Sequence, residues 1–403
     1  MQNTFFLNKN ILYLLPTDEN QYLNFLYEEL RKYLANIYRL DVVGYFNQNG
    51  LKNTVKYIEN LISNKKIDIL ISSPFATEYQ LSVEFYVLLK NKVKIVFWFG
   101  DDEMYFDSYN KYYSQVANAV ITTDYFSVFA YKKLGVPAIC YFDTRSKSDY
   151  YPVEVKKDID VCFLGDCTKS DRMEYIIFLI KNGIDIRTFG KGSKNGFVDW
   201  GKQSEIFSRS KVNLNFTKID ILNWINRDEP ILNRIKQNKG RLIEIALTKS
   251  FCLTEYAPSI NIYFEIGKEI DVFHNKKELL EKVKYYLSNE TKRKEMAENA
   301  YKRVINNYVP KIVFPKVLKE LGEILEKNNK QKTEKIKIYL SRAFKIKSIN
   351  SLTFSVFIML KNKKIFYALE LFIKLFRYGF FIFFAGFYGG LVRVLKNITA
   401  KIS

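Results

Sequence analysis

The segment from Lys239 to Tyr256 combines residue types that suit the binding of a nucleoside diphosphate. It reads KGRLIEIALTKSFCLTEY and predicts a helix that starts near Gly240 and leads directly into a buried strand. Backbone N–H groups at a helix N-terminus favour anions, Arg241 could clamp a phosphate bidentately, and Glu244 could accept hydrogen bonds from ribose hydroxyls. The same spacing also fits an ordinary amphipathic helix on which Arg241 and Glu244 form an exposed i,i+3 ion pair.

The turn after a predicted strand at 159–164 is a second candidate for phosphate binding. It reads FLGDCTKSDRMEY, and Gly165 lets a ligand approach the backbone. Lys169 or Arg172 could then reach a phosphate at the start of the next helix. A glycine at a strand end more often forms only a tight turn. The sequence matches neither GxGxxG nor a Walker loop, which argues against a dinucleotide oxidoreductase.

Polar side chains also follow the predicted strand that ends KVNLNF. Asn215 lies on the polar side of that strand and could meet a sugar or a ribose, although such amides more often satisfy neighbouring loop backbone. The loop that follows, residues 217–238, contains Trp224, Arg227 and Asp228. Structureless connections of this length are uncommon, so we expect the loop to have a function.

Two acids stand directly beyond a buried strand in VKIVFWFGDDEMYF. The carboxylate of Asp101 or Asp102 could deprotonate an acceptor hydroxyl as a general base. The structural alternative is an N-cap for a helix that begins near Tyr105. Together with Glu103, these acids faintly resemble the DxD element of metal-dependent sugar transferases. Because no second carboxylate cluster is visible, a metal site ranks below the other two interpretations.

Short apolar runs alternate with helical periodicity along the chain, which indicates βα units around parallel sheets. In the first half we predict strands at 11–15, 41–46, 67–72, 93–99, 119–122 and 138–141, and helices at 20–34, 51–63, 78–89, 105–116 and 126–134. In the second half we predict strands at 159–164, 186–189, 212–216, 251–254 and 270–273, and helices at 276–287 and 291–306.

The predicted fold class is α/β, with two doubly wound Rossmann-like domains that face a cleft. Ligands bind such domains at the carboxyl ends of the strands. The polar segment 143–158, which contains Pro152, is interpreted as an interdomain linker. The predicted division is a domain at 1–150, a second at 151–310, a connecting helix at 311–330 and a basic tail at 331–403.

The 403 residues include four cysteines and a single histidine, and this length suffices for two substantial cores. The cysteines have no CxxC spacing and His274 stands beside a polar turn. Zinc sites and most Ser-His-Asp or Cys-His schemes are therefore excluded. The cysteine usage fits a reducing cytoplasm, and the first twenty residues do not read as a signal peptide. We predict a cytoplasmic location.

The net charge of +20 is concentrated near the C-terminus. From Lys327 onwards, sixteen Lys and Arg stand against only Glu334 and Glu370, which gives this region a charge of +14. Its charge-free run, residues 378–392, spans roughly 22 Å as a helix, less than a hydrocarbon core of roughly 30 Å. We therefore predict amphipathic helices that lie on an anionic membrane surface. A C-terminal hairpin buried in an oligomer is the structural alternative, and the aromatic content disfavours nucleic acid as the partner.

Three segments resemble the bacterial group 1 glycosyltransferases of the GT-B fold, especially the branch of spore-maturation-type proteins and cell-envelope transferases. They are FLGDCTKSDRMEYI, SKVNLNF and the long stretch from KGRLIEIALTKSFCLTEY to AENAYKRV. The resemblance covers residues 159–308 well and extends more loosely to the VFWFGDDEMYF region. It does not include the tail.

The resemblance implies that residues 151–310 bind a nucleoside-diphosphate sugar and that residues 1–150 bind the acceptor. It places Glu244 near the ribose and Arg241 and Arg172 at the diphosphate, and it requires no metal, since Arg, Lys and helix ends neutralise the phosphates. In other members a second glutamate lies eight residues before the one that matches Glu244, whereas this chain has Lys236 there. A retaining outcome therefore does not carry over. The predicted donor site consists of Gly165, Arg172, Asn215, Lys239, Gly240, Arg241 and Glu244.

We therefore predict a glycosyltransferase, peripheral to the inner face of the cell membrane, that uses Asp101 or Asp102 as its base. It moves a sugar from a nucleotide donor to an envelope glycan or a lipid-linked acceptor, without a metal or a cofactor and without nucleic acid. The alternative is a non-catalytic lipid- or glycan-binding module that retains the transferase fold. This alternative stays open because Lys236 stands where other members of the family have a glutamate.

Overall fold

The computed structural model describes residues 4–16, 21–74, 81–169, 171–219, 236–327 and 337–399. The first part of the chain alternates strands and helices, as the sequence pattern predicts. Its elements are β1 (Asn10–Leu15), α1 (Gln21–Arg31), β2 (Asn36–Asp41), α2 (Val42–Asn64), β3 (Ile69–Ser72), α3 (Val83–Leu89), β4 (Lys94–Phe99), α4 (Asp102–Tyr105), a π-helix (Phe106–Asn110), α5 (Lys111–Ser114), β5 (Ala119–Thr122), α6 (Tyr125–Lys133) and β6 (Ala138–Cys140).

The six strands of this first domain form one parallel sheet in the order β2-β1-β3-β4-β5-β6. Successive residues of a strand point to opposite faces, so each face has its own core. Leu12 and Leu14 of β1 pack into one core, whereas Ile11 and Tyr13 pack into the other. Burial on both faces explains why these strands read as continuous apolar runs.

The second domain repeats the architecture with five parallel strands in the order β11-β10-β9-β7-β8. The predicted fold class, two doubly wound α/β domains, is therefore confirmed. Its elements are β7 (Ile159–Leu164), α7 (Arg172–Lys181), β8 (Ile186–Phe189), α8 (Trp200–Arg209), β9 (Ser210–Asn215), α9 (Arg241–Leu247), β10 (Cys252–Glu255), α10 (Ile260–Tyr263), β11 (Asp271–Phe273), α11 (Lys276–Ser288) and α12 (Glu290–Asn307).

One predicted strand of the first domain is wrong. The run at 41–46 is rich in β-branched and aromatic residues, yet the strand lies at β2 and ends at Asp41, where α2 begins. The Asp41 carboxylate accepts a hydrogen bond of 2.8 Å from the Gly44 N–H and so caps the helix. The cap and the pairing of β2 with β1 outweigh the local strand propensity.

The helix after the second domain, α13 (Pro310–Lys327), returns to the first domain. Phe314, Val317 and Leu321 are buried in the same core as Ile11 and Tyr13 of β1. The Phe314 ring lies 6.3 Å from that of Trp98. Lys94 donates a hydrogen bond of 3.0 Å to the Leu325 carbonyl. The predicted connecting helix is thus also a structural part of the first domain.

In residues 337–399, the C-terminal tail forms three α-helices that pack on the first domain. They are α14 (Arg342–Lys361), α15 (Ile365–Lys374) and α16 (Phe380–Thr399). Ile349, Leu352 and Leu371 are buried in the same core as β1 and β4. The Glu370 carboxylate accepts the Lys52 N–H at 2.8 Å, just beyond the kink at Gly50 in α2. Residues 337–399 therefore extend the first domain, whereas the predicted division treats the tail as a separate unit.

Close contact between α14 and α16 depends on a glycine. A Cβ at Gly386 would lie 2.5 Å from Ile349 Cβ and 2.7 Å from the Ile346 carbonyl, whereas nothing lies within 4 Å of a Cβ at Gly201 in α8. We expect Gly386→Ala to lower the free energy of unfolding by about 1–3 kcal/mol through overpacking. Gly201→Ala is the control, because Gly201 is also helical but a Cβ there would contact nothing. This substitution should raise the free energy of unfolding by about 0.5–1 kcal/mol. Urea titration measures the free energy of unfolding of both variants. A change of the same sign in both would show that overpacking at Gly386 does not occur.

Candidate active site in the interdomain cleft

The two neighbouring acids after β4 occupy opposite environments. Asp101 is exposed in the cleft between the domains, whereas Asp102 is fully buried in the first domain. Asp101 has a left-handed backbone with φ of 56°. This conformation is uncommon outside glycine, although Asp tolerates it better than most residues. It turns the chain at the end of β4, so consecutive side chains point to different sides.

Asp101 occupies the N-cap position of α4, but its side chain makes no cap hydrogen bond. Its carboxylate instead accepts a hydrogen bond from the Gln237 amide of the second domain. The surrounding protein of the cleft desolvates this carboxyl and raises its pKa, while Gln237 and the charges of Lys239 and Lys169 oppose the shift. Asp101 is therefore a carboxylate held between the two domains.

Asp102 is not placed for chemistry on a substrate in the cleft, which corrects its prediction as a catalytic candidate. Its Oδ1 atom accepts hydrogen bonds of 2.8 Å from Asn110 and from Tyr131. Burial raises the pKa of Asp102 to about 6, although hydrogen bonds from Thr122, Asn110 and Tyr131 act in the opposite direction. The side chain serves to anchor the start of α4.

A group of cations stands at the carboxyl ends of β7 and β9 in the second domain. Lys169 and Arg172 follow β7, and Lys239 precedes α9; we call these three residues the basic cluster. Arg172 is buried and donates a hydrogen bond of 2.8 Å to the Asp166 carbonyl, which fixes the turn after Gly165. Lys239 donates a hydrogen bond of 2.9 Å to the Phe216 carbonyl. The cluster lies where open α/β sheets bind ligands.

The electrostatics of Lys239 indicate a site that attracts anions. The pKa of Lys239 is lowered to about 7, first by desolvation and then by the neighbouring charges of Arg172 and Lys169, while the charge of Glu255 acts in the opposite direction. Concentrating like charges in a partly desolvated cleft is unfavourable unless an anion compensates for it. The basic cluster therefore suits a phosphate or diphosphate group.

Arg241 and Glu244 form the i,i+3 ion pair that the sequence analysis gives as the alternative, with 2.8 Å between Arg241 Nε and a Glu244 carboxylate oxygen. The predicted pair is exposed, whereas Glu244 is buried in the structure. Arg241 also donates to the Leu164 carbonyl, and Arg145 Nε donates to Glu244 at 3.0 Å. As placed, these side chains tie α9 to β7 and to the segment between the domains.

The two predicted site glycines permit close packing. A Cβ at Gly240 would lie 2.2 Å from Asp143 Oδ2 and 2.5 Å from an Arg145 nitrogen. A Cβ at Gly165 would lie 2.9 Å from the Phe163 ring. Helix α9 has only seven residues, so its N-terminal dipole is smaller than the sequence pattern suggests. Gly240 thus accommodates the segment between the domains.

Asn215 does not reach the cleft as predicted. Its side chain is buried, and its amide donates a hydrogen bond of 2.9 Å to the Thr254 hydroxyl on the neighbouring strand. This is the structural role that such amides usually have. Trp224, Arg227 and Asp228 belong to 220–235 and lie outside the described residues.

Two residues of the candidate site, Glu255 and Arg145, were not predicted from the sequence. Glu255 ends β10 and is buried, and one of its oxygens accepts the N–H groups of Thr217 and Lys218 at 2.9 and 3.0 Å. Its other oxygen lies 3.0 Å from Lys236 Nζ. The sequence pattern that identifies Asp101 is an acid close after a predicted buried strand. Glu255 shows the same pattern, because it directly follows the predicted strand at 251–254. Arg145 had no comparable signal, because it lies in the polar segment taken as a linker.

Within the ranges that the structure describes, no group of three or more His, Cys, Asp or Glu side chains could hold a metal ion. The cleft instead combines a carboxylate from one domain with cations from the other. Such an arrangement can accept a proton at Asp101 and can stabilise negative charge at the basic cluster.

Residues 174–314 match the family model described as glycosyl transferase-like. Sucrose-phosphate synthase from Thermosynechococcus elongatus has a similar structure, with a TM-score of 0.56, 9% sequence identity, and 80% of this chain and 99% of that chain covered. The chain carries a glycosyl transferase-like domain on a GT-B fold. These findings confirm the predicted GT-B fold and support the predicted family and enzyme class, a glycosyltransferase.

Two further GT-B structures have the same fold as this chain. A glycosyltransferase from Rickettsia africae ESF-5 has a TM-score of 0.56 and 13% identity, with 79% of this chain and 99% of that chain covered. Anabaena HepE in complex with UDP has a TM-score of 0.55 and 10% identity, with 78% and 100% covered. The chain spans 57% of TarM, at a TM-score of 0.48. No protein of curated function matches the chain by sequence.

Proposed function

We propose that the protein transfers a sugar from a nucleoside-diphosphate sugar to an acceptor hydroxyl, with the donor bound to the second domain. One observation carries the proposal: the Asp101 carboxylate accepts a hydrogen bond from Gln237, two residues before Lys239 of the basic cluster, and so lies across the cleft from that cluster. Desolvation raises the pKa of Asp101, while the charges of Lys239 and Lys169 act in the opposite direction. HepE is described in complex with UDP and with UDP-glucose, which supports a uridine nucleotide as the first donor to test.

In the proposed reaction, the acceptor oxygen attacks the anomeric carbon of the donor sugar. The bond from that carbon to the diphosphate breaks, and the nucleoside diphosphate leaves with the electron pair. The proton of the acceptor hydroxyl passes to Asp101, and the cations of Lys239 and Arg172 stabilise the leaving group. Gln237 donates a hydrogen bond to one oxygen of Asp101, so this amide holds the carboxylate in the cleft while the acceptor hydroxyl approaches it.

We further propose that the protein binds the inner face of an anionic membrane through the helices α15 and α16. Phe366, Leu369 and Ile373 are exposed at i, i+3 and i+7 spacing on α15. On α16 the exposed residues at the same spacing are Phe381, Phe384 and Tyr388. We call these six residues the outer face.

Exposed basic side chains stand beside this apolar surface, as on helices that lie in a bilayer interface. They include Lys361, Lys363, Lys374 and Arg377. In the described part of the chain, one helix, α14, is long and apolar enough to cross a membrane. Its buried side chains pack in the core of the first domain, which accounts for that composition. A peripheral attachment therefore fits better than a span.

Donor binding is tested by calorimetry with uridine, guanosine and thymidine diphosphates, followed by transfer assays with the corresponding nucleotide sugars. We expect at least one diphosphate to bind and its sugar derivative to be consumed in the presence of an acceptor. Binding of none of them would contradict the proposed donor class. Nucleotide binding without turnover for any acceptor would favour a non-catalytic module that retains the fold.

Membrane binding is tested by flotation with vesicles of phosphatidylglycerol and phosphatidylcholine. We expect Phe366→Ser and Phe381→Ser each to weaken vesicle binding by roughly tenfold or more, since inserting a phenylalanine contributes about 1.5–3 kcal/mol. Phe197→Ser is the matched control, because Phe197 is 84% exposed but belongs to the second domain. Apolar insertion should persist at high salt, whereas binding to nucleic acid would fall steeply. Unchanged flotation of both outer-face variants would contradict the assignment.

A further inference from the structure

We propose that the C-terminal helices are part of the acceptor side of the active site, because the start of α14 positions Asp101. The inference rests on the proposed function, since it takes Asp101 as the base. It concerns the segment from Asp102 to Ser114, which follows Asp101 directly and which we call the base segment. The tail would then have two separable roles: its outer face binds the membrane, and the start of α14 orients the base.

The base segment does not form a regular helix by itself. It consists of α4 with four residues, the π-helix with five and α5 with four. Such short pieces are unstable without tertiary contacts, and π-helical turns are frequent at functional sites. The position of Asp101 at the start of this segment therefore depends on what packs against it.

The start of α14 supplies that packing. The Phe344 side chain is 2% exposed, and its ring lies 4.5 Å from the ring of Tyr112 and 5.7 Å from that of Tyr109. The Tyr112 hydroxyl donates a hydrogen bond of 2.7 Å to the Ser341 hydroxyl oxygen. That same oxygen caps α14 by accepting the Phe344 N–H at 3.1 Å. The cap of α14 and the base segment therefore share one atom.

The extended chain just before α14 adds a second connection. Gln115, directly after the base segment, donates its amide to the Tyr339 carbonyl at 2.9 Å and accepts the Tyr339 N–H at 2.8 Å. The two hydrogen bonds fix the backbone of the tail to the end of α5. The base segment is thus held along its second half by residues more than two hundred positions later in the chain.

The contacts continue from the π-helix to the acids after β4. Asn110 lies between the tyrosines that touch Phe344, and its amide donates a hydrogen bond of 2.8 Å to Asp102 Oδ1. Asp102 is the first residue of α4, and the backbone N–H of Met104 donates to the Asp101 carbonyl at 2.9 Å. A shift of the π-helix is therefore transmitted to Asp101 through packed and hydrogen-bonded neighbours. Misplacement of a reacting group by about 1 Å can lower a rate by about a hundredfold.

The test uses the full-length protein with a water-soluble acceptor and no vesicles, so that membrane binding does not contribute. We expect Phe344→Ala to lower kcat by about tenfold or more. The KM for the nucleotide sugar and the Kd for the nucleoside diphosphate should stay within about twofold. The acid limb of the kcat pH profile should also shift, because the surroundings of Asp101 change. Phe344→Leu, which keeps most of the apolar volume, should restore part of the rate.

Phe354→Ala is the matched control, because Phe354 lies on the same helix but packs against Arg393 of α16 at 4.0 Å. We expect it to keep the wild-type kcat. If Phe344→Ala does not fold, Tyr112→Phe and Gln115→Ala take its place, and each should lower kcat without changing donor binding. Wild-type kcat and an unchanged pH profile in the folded variants would overturn the inference. Absence of turnover in the wild-type protein would instead overturn the proposed function.

Discussion

Replacing Asp101 by Asn is expected to lower kcat by about 10²- to 10⁴-fold while leaving nucleotide binding intact. Asn keeps the size of the side chain and tolerates the left-handed backbone at this position, so the fold should persist. It cannot accept the proton of the acceptor hydroxyl. Steady-state transfer assays give kcat, and calorimetry with the preferred nucleoside diphosphate gives the binding constant.

Asp185→Asn is the control for this prediction. Asp185 is exposed in the turn before β8, at the amino end of the second sheet and so at the opposite end from the cleft. We expect its kcat to stay near the wild-type value, since substitutions at exposed surface positions usually have small effects. A normal kcat for Asp101→Asn would exclude Asp101 as the base. Direct displacement with this base inverts the anomeric centre, so NMR of the product provides a second check.

Replacing Lys239 by Met is expected to weaken the binding of the nucleoside diphosphate by about 10- to 150-fold, the loss of one charge-assisted hydrogen bond of about 1.5–3 kcal/mol. Met keeps the length and the apolar part of the side chain but carries no charge. Lys211→Met is the control, because Lys211 pairs with Asp160 at 2.6 Å at the amino end of the same sheet. Equal affinities for the two variants would contradict the assignment of Lys239 to the donor site.

The affinity for the diphosphate should also depend on pH. In the free protein, burial among cations lowers the pKa of Lys239 to about 7. A bound diphosphate favours the charged ammonium and so raises this pKa. Binding then takes up a proton above pH 7, and the affinity should fall as the pH rises, by at most about tenfold per pH unit. Calorimetry in buffers of different ionisation enthalpy detects this uptake, which should be absent in Lys239→Met.

The elements of the two sheets follow largely from sequence patterns. The predicted strands at 119–122, 159–164 and 186–189 have the same bounds in the structure, because buried parallel strands are short apolar runs between polar turns. The error at 41–46 arose where an apolar, β-branched run starts a helix. Local propensity decides little there, since the Asp41 cap and the pairing of β2 with β1 fix the boundary.

The candidate site was predictable only in part. An acid after a buried strand identifies Asp101, and basic residues at the starts of α7 and α9 identify Arg172 and Lys239. Asp101 and Asp102 could not be separated from the sequence pattern, because a single left-handed residue sends one side chain to the cleft and the other to the core. The sequence also placed Arg241 and Glu244 at the donor, whereas the structure has them tied to Leu164 and Arg145.

The sequence by itself determined the fold class, and it predicted the glycosyltransferase family and the end of each sheet at which we propose that the chemistry occurs. These properties depend on periodicity and on residues close together in the chain, which a sequence displays directly. Only the tertiary structure decided that Asp101 meets Gln237 and that the C-terminal helices pack on the first domain. Both contacts join residues more than one hundred positions apart. Such pairs depend on how packed elements meet, and no local pattern specifies that arrangement.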